Sequence, residues 1–278
     1  RYLIQLYLFI KKNHYDVVHA HLNTITYLIL SAFLLPKVKF IATIHSDASF
    51  EAPGKLDKCV RKILFKFKRV VPITISEESN KSFVDYYNET ASVVYNGLSP
   101  FNLQNINDEL IRKSKDDVIF VHPASCQPVK NQKLLLSAFN RIVKKYNNVY
   151  LYWFGSNEQN KVLFNKLAPF LNDRIRYCGC VNNIRDYLYQ ADAMCLASLV
   201  EGMPMVIIEA FSVGCIPIVT PAGGCVNMVR NGYNGLISKT FEEDEYYEML
   251  DLFINLTTDE KDAIKNNCIL SFQKYSIE

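Results

Sequence analysis

Ser198-Leu199-Val200-Glu201-Gly202-Met203-Pro204-Met205-Val206-Ile207-Ile208-Glu209-Ala210 is the stretch whose reading decides the fold. Just before it, Ala193-Met194-Cys195-Leu196-Ala197 is an apolar run of the length and character of a buried strand. Pro204 then suits a first helical position, where its missing N–H would have had no partner. The stretch therefore predicts a strand, a loop carrying Glu201, and a helix carrying Glu209 a little over one turn in. In an open parallel sheet, ligands bind at that edge. The free N–H groups of a helix start favour an anion such as a diphosphate. Carboxylates on either side of an anion site accept hydrogen bonds from ligand hydroxyls, so the chemistry indicated is recognition of a phosphate-bearing polyol.

Outward from this stretch, strand-like and helix-like segments alternate, which predicts an α/β fold with parallel sheets. Asp16 to His21 is a strand leading into an apolar helix from Thr26 to Leu35, closed by Pro36. Phe40 to His45 and Val70 to Ser76 are further strands. Ser76 is an N-cap ahead of the acidic turn Glu77-Glu78. Ser92 to Gly97 is a strand ending in a turn, and the polar run from Asn102 to Asp117 lacks apolar periodicity. A second set begins at Val118-Ile119-Phe120-Val121. Its first helix carries Leu134, Leu135, Ala138, Phe139, Ile142 and Val143 at helical spacing. Strands follow at Val149 to Gly155 and Arg174 to Gly179. The expected organisation is a first domain over 1–100, a linker over 101–117 and a second domain over 118–278. There is no tandem repeat or low-complexity tract.

Of the 278 residues, 49% are hydrophobic and 21% charged, an ordinary globular composition. A net charge of +3 gives no reason to expect nucleic-acid binding. The eight cysteines form no Cys-x-x-Cys pair, and most lie in apolar runs where cysteine acts as a small hydrophobe. Cys178-Gly179-Cys180 has no partner cluster for a metal, so buried thiols in a reducing cytoplasm are expected. No apolar stretch reaches the roughly 18 residues of a membrane span. The apolar start, Arg1 to Lys12, reads as a core helix rather than a signal peptide.

The quoted stretch resembles the Glu-x7-Glu motif of the family-four retaining glycosyltransferases. Its flanks match as well: Ala191-Asp192-Ala193 before it, Gly214-Cys215-Ile216-Pro217-Ile218-Val219, Gly223-Gly224 and Asn231-Gly232-Tyr233-Asn234-Gly235 after it. The resemblance implies a GT-B fold, two facing Rossmann-like domains with parallel sheets. Judged against the family, the first domain is expected to be incomplete and the chain to stop before the C-terminal crossover helix. The resemblance also implies that Glu201 contacts the transferred sugar and Glu209 the nucleotide's ribose, with Gly202, Met203 and Pro204 on the donor side.

Lys130, in Pro128-Val129-Lys130-Asn131-Gln132, has the ordinary fate of a solvated loop lysine as its alternative. At a strand-to-helix loop it is placed to meet a diphosphate, and a charge-assisted bond there contributes about 1.5–3 kcal/mol. The segment is similar to the family's Gly-Arg-Leu-x-x-x-Lys-Asn motif, whose Arg and Lys bind the donor diphosphate. Here Ala124-Ser125-Cys126 stands in place of Gly-Arg-Leu, so Ser125 offers a hydroxyl without charge. His45, in Thr43-Ile44-His45-Ser46-Asp47, matches the family's strand-end histidine beside the transferred sugar. His19 and His21 are read as structural residues on opposite sides of one strand, and His122 as a satisfied polar group. Gly223-Gly224 serves either a close approach or a plain turn, and Asn227 stands where the family often has a Glu.

Lys55 to Arg69 has the spacing of an amphipathic helix, and Lys55, Lys58, Arg61, Lys62, Lys66, Lys68 and Arg69 are read as its basic face. A wet domain face is one reading of it; contact with anionic lipid headgroups is another.

The function expected is a metal-independent, retaining transfer of a hexosyl group from a nucleotide-diphosphate sugar to a hydroxyl of a glycan or lipid-linked acceptor. Neither cofactor nor metal is expected, the nucleotide sugar being a substrate. The protein is expected in the cytoplasm, peripheral at the inner face of the plasma membrane. The rivals are a nucleotide-sugar epimerase or hydrolase of the same fold, and an inactive nucleotide-sugar-binding protein.

Overall fold

Residues 1–102, 114 and 116–277 are described by a computed structural model. The chain divides into Arg1–Asn96 and Gly97–Glu278. The division falls ahead of residue 100 because Leu98 N–H donates to Tyr275 O at 2.9 Å, which ties Leu98 to the second unit. Most of the expected linker, 103–113 and 115, lies outside the described residues.

The first unit is built on a parallel sheet ordered β1-β2-β3-β4, with β1 Val17–His21, β2 Lys39–Ile44, β3 Val71–Thr74 and β4 Ser92–Val93. Its helices are α1 Tyr2–Asn13, α2 Ile29–Leu34, α3 Ala48–Glu51, α4 Lys55–Lys66 and α5 Glu77–Tyr87. Ser76 caps α5 by accepting from Ser79 N–H while Ser79 Oγ reaches back, and Asn88 ends it in the left-handed region. The core closes on Phe65, Phe83 and Tyr87, whose ring centroids lie 5.0 to 5.2 Å apart.

Three expectations differ here. The helix expected from Thr26 to Leu35 begins as a 3-10 segment, Leu22–Leu28, before α2. The strand expected over 92–97 is only two residues long. In α1 only Ile10 is buried, and Tyr2, Ile4, Leu8 and Phe9 are more than half exposed.

Arg61 does not join the basic face of α4. It is fully buried, its Nη2 donating to Glu51 O at 3.0 Å and its Nε to Asp57 Oδ1 at 3.2 Å. Its Nη1 lies 3.9 Å from Glu51 Oε2, and both side chains are essentially inaccessible. The apolar side of the helix faces the core through Leu64 and Phe65, and Arg61 shares that side.

The second unit carries six parallel strands: β5 Val118–Pro123, β6 Val149–Phe154, β7 Ile175–Gly179, β8 Ala193–Leu196, β9 Ile216–Val219 and β10 Leu236–Ile237. Their spatial order is β10-β9-β8-β5-β6-β7. The helices are α6 Gln132–Lys145, α7 Lys161–Leu167, α8 Ile184–Gln190, α9 Met205–Ser212, α10 Gly224–Met228, α11 Glu243–Asn255 and α12 Thr258–Phe272. The apolar residues picked out by period on α6 are all buried, together with Leu136. Pro204 stands one position earlier than expected, as the N-cap of α9, with extended backbone. A proline fits there equally, since an N-cap N–H has no place in the intrahelical ladder.

Removing the Arg61 guanidinium leaves the Glu51 carboxylate buried without its cation. Arg61→Ala is therefore expected to cost about 3–5 kcal/mol in urea unfolding, the usual scale for breaking a buried pair. A loss below about 1 kcal/mol, the scale of an exposed pair, would contradict this account.

Candidate functional site

In the second unit the chain runs from β5 through β6 to β7 on one side, then returns to lay β8, β9 and β10 on the other. The winding direction reverses between β5 and β8, so the loops leaving their carboxyl ends part and open a crevice. The loop after β5 supplies Ser125 and Lys130; the loop after β8 supplies Glu201. Lys130 ends a 3-10 turn, Pro128–Lys130, and Asn131 then reverses the chain in the left-handed region at φ 48° before α6 starts.

Across the crevice Lys130 Nζ donates to Glu201 Oε1 at 2.7 Å, with the two side chains 25% and 10% exposed. Ser198 Oγ donates to the same oxygen at 2.6 Å. Leu199 N–H donates to Val129 O at 2.8 Å, which ties the two loops through their backbones. The loop Glu201-Gly202-Met203-Pro204 is held from behind, where Gly224 N–H donates to Glu201 O at 2.9 Å. A Cβ on Gly224 would lie 1.8 Å from Gly202 O, so the second glycine of the pair serves a close approach rather than a plain turn. Asn227 lies on α10.

Ser125 and Glu209 meet at a cavity of about 220 Å³ at the carboxyl edge of β5 and β6, which Gly155, Ser156, Cys180 and Ile184 also line. Gly155 has φ +147°, and a Cβ there would lie 2.2 Å from Ala124 O, so only glycine lets the two backbones approach this closely in the cavity wall. Burial raises the Glu209 pKa, with Arg185 opposing the shift. Arg185 itself donates to Ser99 O at 2.8 Å.

In the first unit His45 follows directly on β2, half-buried. Its backbone N–H and that of Ser46 both donate to Glu51 Oε1, at 2.6 and 2.9 Å. His45 Nε2 lies 2.8 Å from His21 Nδ1. Burial lowers the His45 pKa, and His21 and His19 lower it further. His19 and His21 share one side of β1, their ring centroids 4.2 Å apart; this corrects the expectation of opposite sides, since residues two apart on a strand point the same way. A larger cavity of about 830 Å³ lies against α1 and β1, lined mainly by Tyr2, Leu6, Phe9, Val18, Tyr27 and Leu28, with His19, Gln5 and Thr24 as its other polar side chains and no carboxylate or lysine among its lining residues.

Ser198, Arg185, Glu51 and His21 were not singled out by sequence as site residues. Ser198 stands three residues before Glu201 and was legible as a neighbour; Glu51 and His21 carry no local signal. Of the eight cysteines five are buried and three, Cys59, Cys178 and Cys180, exposed. Among the described residues no group of three or more His, Cys, Asp or Glu is placed to hold a metal ion.

His122 is fully buried, and its Nδ1 lies 2.8 Å from Cys195 O. Burial pushes its pKa down to about 4 from 6.5; the Cys195 carbonyl opposes this and Lys130 adds to it. The unfolded chain thus binds more protons between these values. The contribution to stability is complete above pH 6.5 and is lost as the pH falls towards 4, a change of about 3 kcal/mol. His122→Asn, which cannot titrate, is expected to flatten the dependence of the urea midpoint on pH over that window. Equal slopes in both proteins would contradict this.

Comparison with known proteins identifies the family. The family description "Glycosyltransferase Family 4" matches residues 1–100, and "Glycosyl transferases group 1" matches residues 104–268. The chain is 25% identical over 284 residues to the UDP-Gal:alpha-D-GlcNAc-diphosphoundecaprenol alpha-1,3-galactosyltransferase of Escherichia coli, covering 96% of this chain and 73% of that protein. It is 28% identical over 225 residues to the capsular polysaccharide biosynthesis glycosyltransferase CapH of Staphylococcus aureus, covering 75% of this chain and 60% of that protein. The structure of Anabaena Alr3699/HepE in complex with UDP superposes with a TM-score of 0.81 at 20% identity, covering 99% of this chain and 78% of that one. The fold is GT-B, and the chain belongs to the family-four glycosyltransferases.

Proposed function

We propose that this glycosyltransferase takes a hexosyl group from a UDP-sugar and places it on a hydroxyl of a lipid-linked or glycan acceptor, retaining the anomeric configuration and using no metal or cofactor. The observation that carries the reading is the Lys130–Glu201 pair across the β5/β8 crevice; Ser125 and Glu209 line a cavity at the carboxyl edge of the same sheet. UDP in the Anabaena structure and the diphosphoundecaprenol acceptor in the name of the Escherichia coli relative support the choice of donor and acceptor class.

Glu209, partly buried, accepts from the ribose hydroxyls at the cavity that Ser125 and Gly155 also line. Lys130 and the N-terminus of α9 offset the diphosphate's negative charge as it leaves, a stabilisation that grows as the bond breaks. Ser125 adds a neutral hydrogen bond to phosphate. Glu201, fixed by Ser198 and Lys130, orients the sugar, and His45 lines it. In the transfer the bond from the anomeric carbon to the phosphate oxygen breaks, and the acceptor oxygen bonds to that carbon on the same face. The acceptor's proton passes to the departing phosphate oxygen, so no protein nucleophile is needed.

The exposed lysines Lys55, Lys62 and Lys66 of α4, with exposed Leu56 and Phe67, form the surface we propose meets anionic lipid at the inner face of the plasma membrane. Among the described residues no helix is long and apolar enough to cross a membrane.

Calorimetry with UDP and with uridine tests the central assignment. Lys130→Ala is expected to weaken UDP binding by about 1.5–3 kcal/mol, tenfold or more, and to leave uridine unchanged. Parallel loss for both ligands would mean that Lys130 only holds the loops together, and no loss for either that it touches no phosphate. Glu209→Gln is expected to weaken both, because an amide oxygen accepts less strongly than a carboxylate. Unchanged uridine affinity in this variant would remove the ribose role. Incubation with a UDP-sugar, with and without acceptor, separates transfer from epimerisation, hydrolysis or binding alone.

A further inference from the structure

Two strands of the first unit repeat one diagonal contact. In the parallel register of β1 and β2, His19 stands opposite Ile41 and His21 opposite Thr43. Each histidine reaches past its partner to the residue two further on. His19 Nε2 meets Thr43 Oγ1 at 2.7 Å, and His21 Nδ1 meets His45 Nε2 at 2.8 Å. The repetition follows from the strand period: Thr43 and His45 lie on the same side of β2, as His19 and His21 do on β1.

The second contact constrains protons as well as position. At 2.8 Å one nitrogen of the His21 Nδ1–His45 Nε2 pair must donate and the other accept, so a single proton lies between them. Whichever ring supplies it, the proton state of His45 Nδ1, the nitrogen left for a ligand, is coupled to that of His21. If His21 donates, neutral His45 carries its proton on Nδ1; if His45 donates, its Nδ1 is an acceptor. The main chain beneath is held independently. Glu51 Oε1 takes the N–H groups of His45 and Ser46, and Glu51 is itself buried beside Arg61. Backbone and ring of His45 are thus fixed by different groups.

Resting on the reading of His45 as a residue that lines the sugar, we propose that His21 is a positioning residue for the transfer: through its Nδ1 it sets the ring plane and the tautomer of His45. His21 acts through another side chain and need not touch substrate, which separates its role from that of His45. A neutral imidazole whose free nitrogen has a defined donor or acceptor character discriminates between arrangements of sugar hydroxyls, and a freely rotating one does not.

The test uses the full chain with ¹⁵N-labelled histidine. With only five histidines in the sequence, the ring signals are assigned by single substitutions. His21→Ala is expected to change the tautomer balance of His45, and His21→Asn, whose amide places a polar atom near the former Nδ1, to restore it in part. Turnover is read as UDP release from UDP-galactose and from UDP-glucose. His21→Ala is expected to lower kcat by about 10- to 100-fold, the scale of a small misplacement of a reacting group, with KM for the donor little changed and with rescue by His21→Asn. An unchanged His45 tautomer in His21→Ala overturns the inference. Wild-type turnover in His21→Ala, with turnover lost in His45→Ala, also overturns it and leaves the role of His45 standing. Wild-type turnover in His45→Ala overturns both. Equal kcat losses in His21→Ala and His21→Asn, with the melting temperature lowered in both, show a merely structural histidine and overturn it too.

Discussion

The second unit depends on the parallel pairing of β5 with β8. Phe120 stands opposite Ala193 and Val121 opposite Met194, and Asp192 starts the alignment by exchanging bonds with Ile119. Its backbone N–H donates to Ile119 O at 2.9 Å, and its carboxylate accepts from Ile119 N–H at 2.8 Å. With that seam in place, the loops above it leave in opposite directions. Lys130 and Glu201, 71 residues apart in sequence, then face each other at ion-pair distance. Their partial burial matters, because a pair shielded from water is felt more strongly than one on an open surface. The Glu201 oxygen that accepts from the Lys130 ammonium also accepts from Ser198 Oγ.

Glycines make this seam usable. Gly224 brings the backbone behind the Glu201 loop to a distance at which no side chain fits, so the loop is backed by main chain rather than by a mobile side chain. Gly155 does the same at the end of β6, beside Ala124. Neither adds a functional group. Each removes volume where the fold must let two backbones close and leave a wall for a ligand.

The first unit solves a different problem by electrostatics. A strand-end histidine needs its backbone held, and the holder is a buried carboxylate. Burial raises the pKa of Glu51, and the two N–H donors, with Arg61, pull it back. Such a pair costs desolvation on both sides and is weak evidence for stability gained. Its effect here is geometric: it fixes where β2 ends and where His45 begins.

Much of this was legible in the residues themselves. The alternation of apolar runs marked out the parallel strands, the period of α6 placed its core face, and Ser76 with its acidic turn marked the start of α5. Glu201 and Glu209 were readable as loop and helix positions because the apolar run before them and Pro204 bracket the turn. These signals are local: burial on one face imposes a period of two or 3.6, and caps and prolines act within a turn. Contacts between strands far apart in sequence were not legible. Nothing near Lys130 names Glu201 as its partner, nothing near Arg61 shows that its helix side is buried, and nothing near His21 points to His45. Those pairings follow from strand order and register, which arise from the packing of the whole sheet. The sequence by itself determined the elements, their class and the chemical character of the candidate residues. Tertiary structure alone decided which of them meet, because a parallel sheet joins neighbours through long crossovers that no local pattern records.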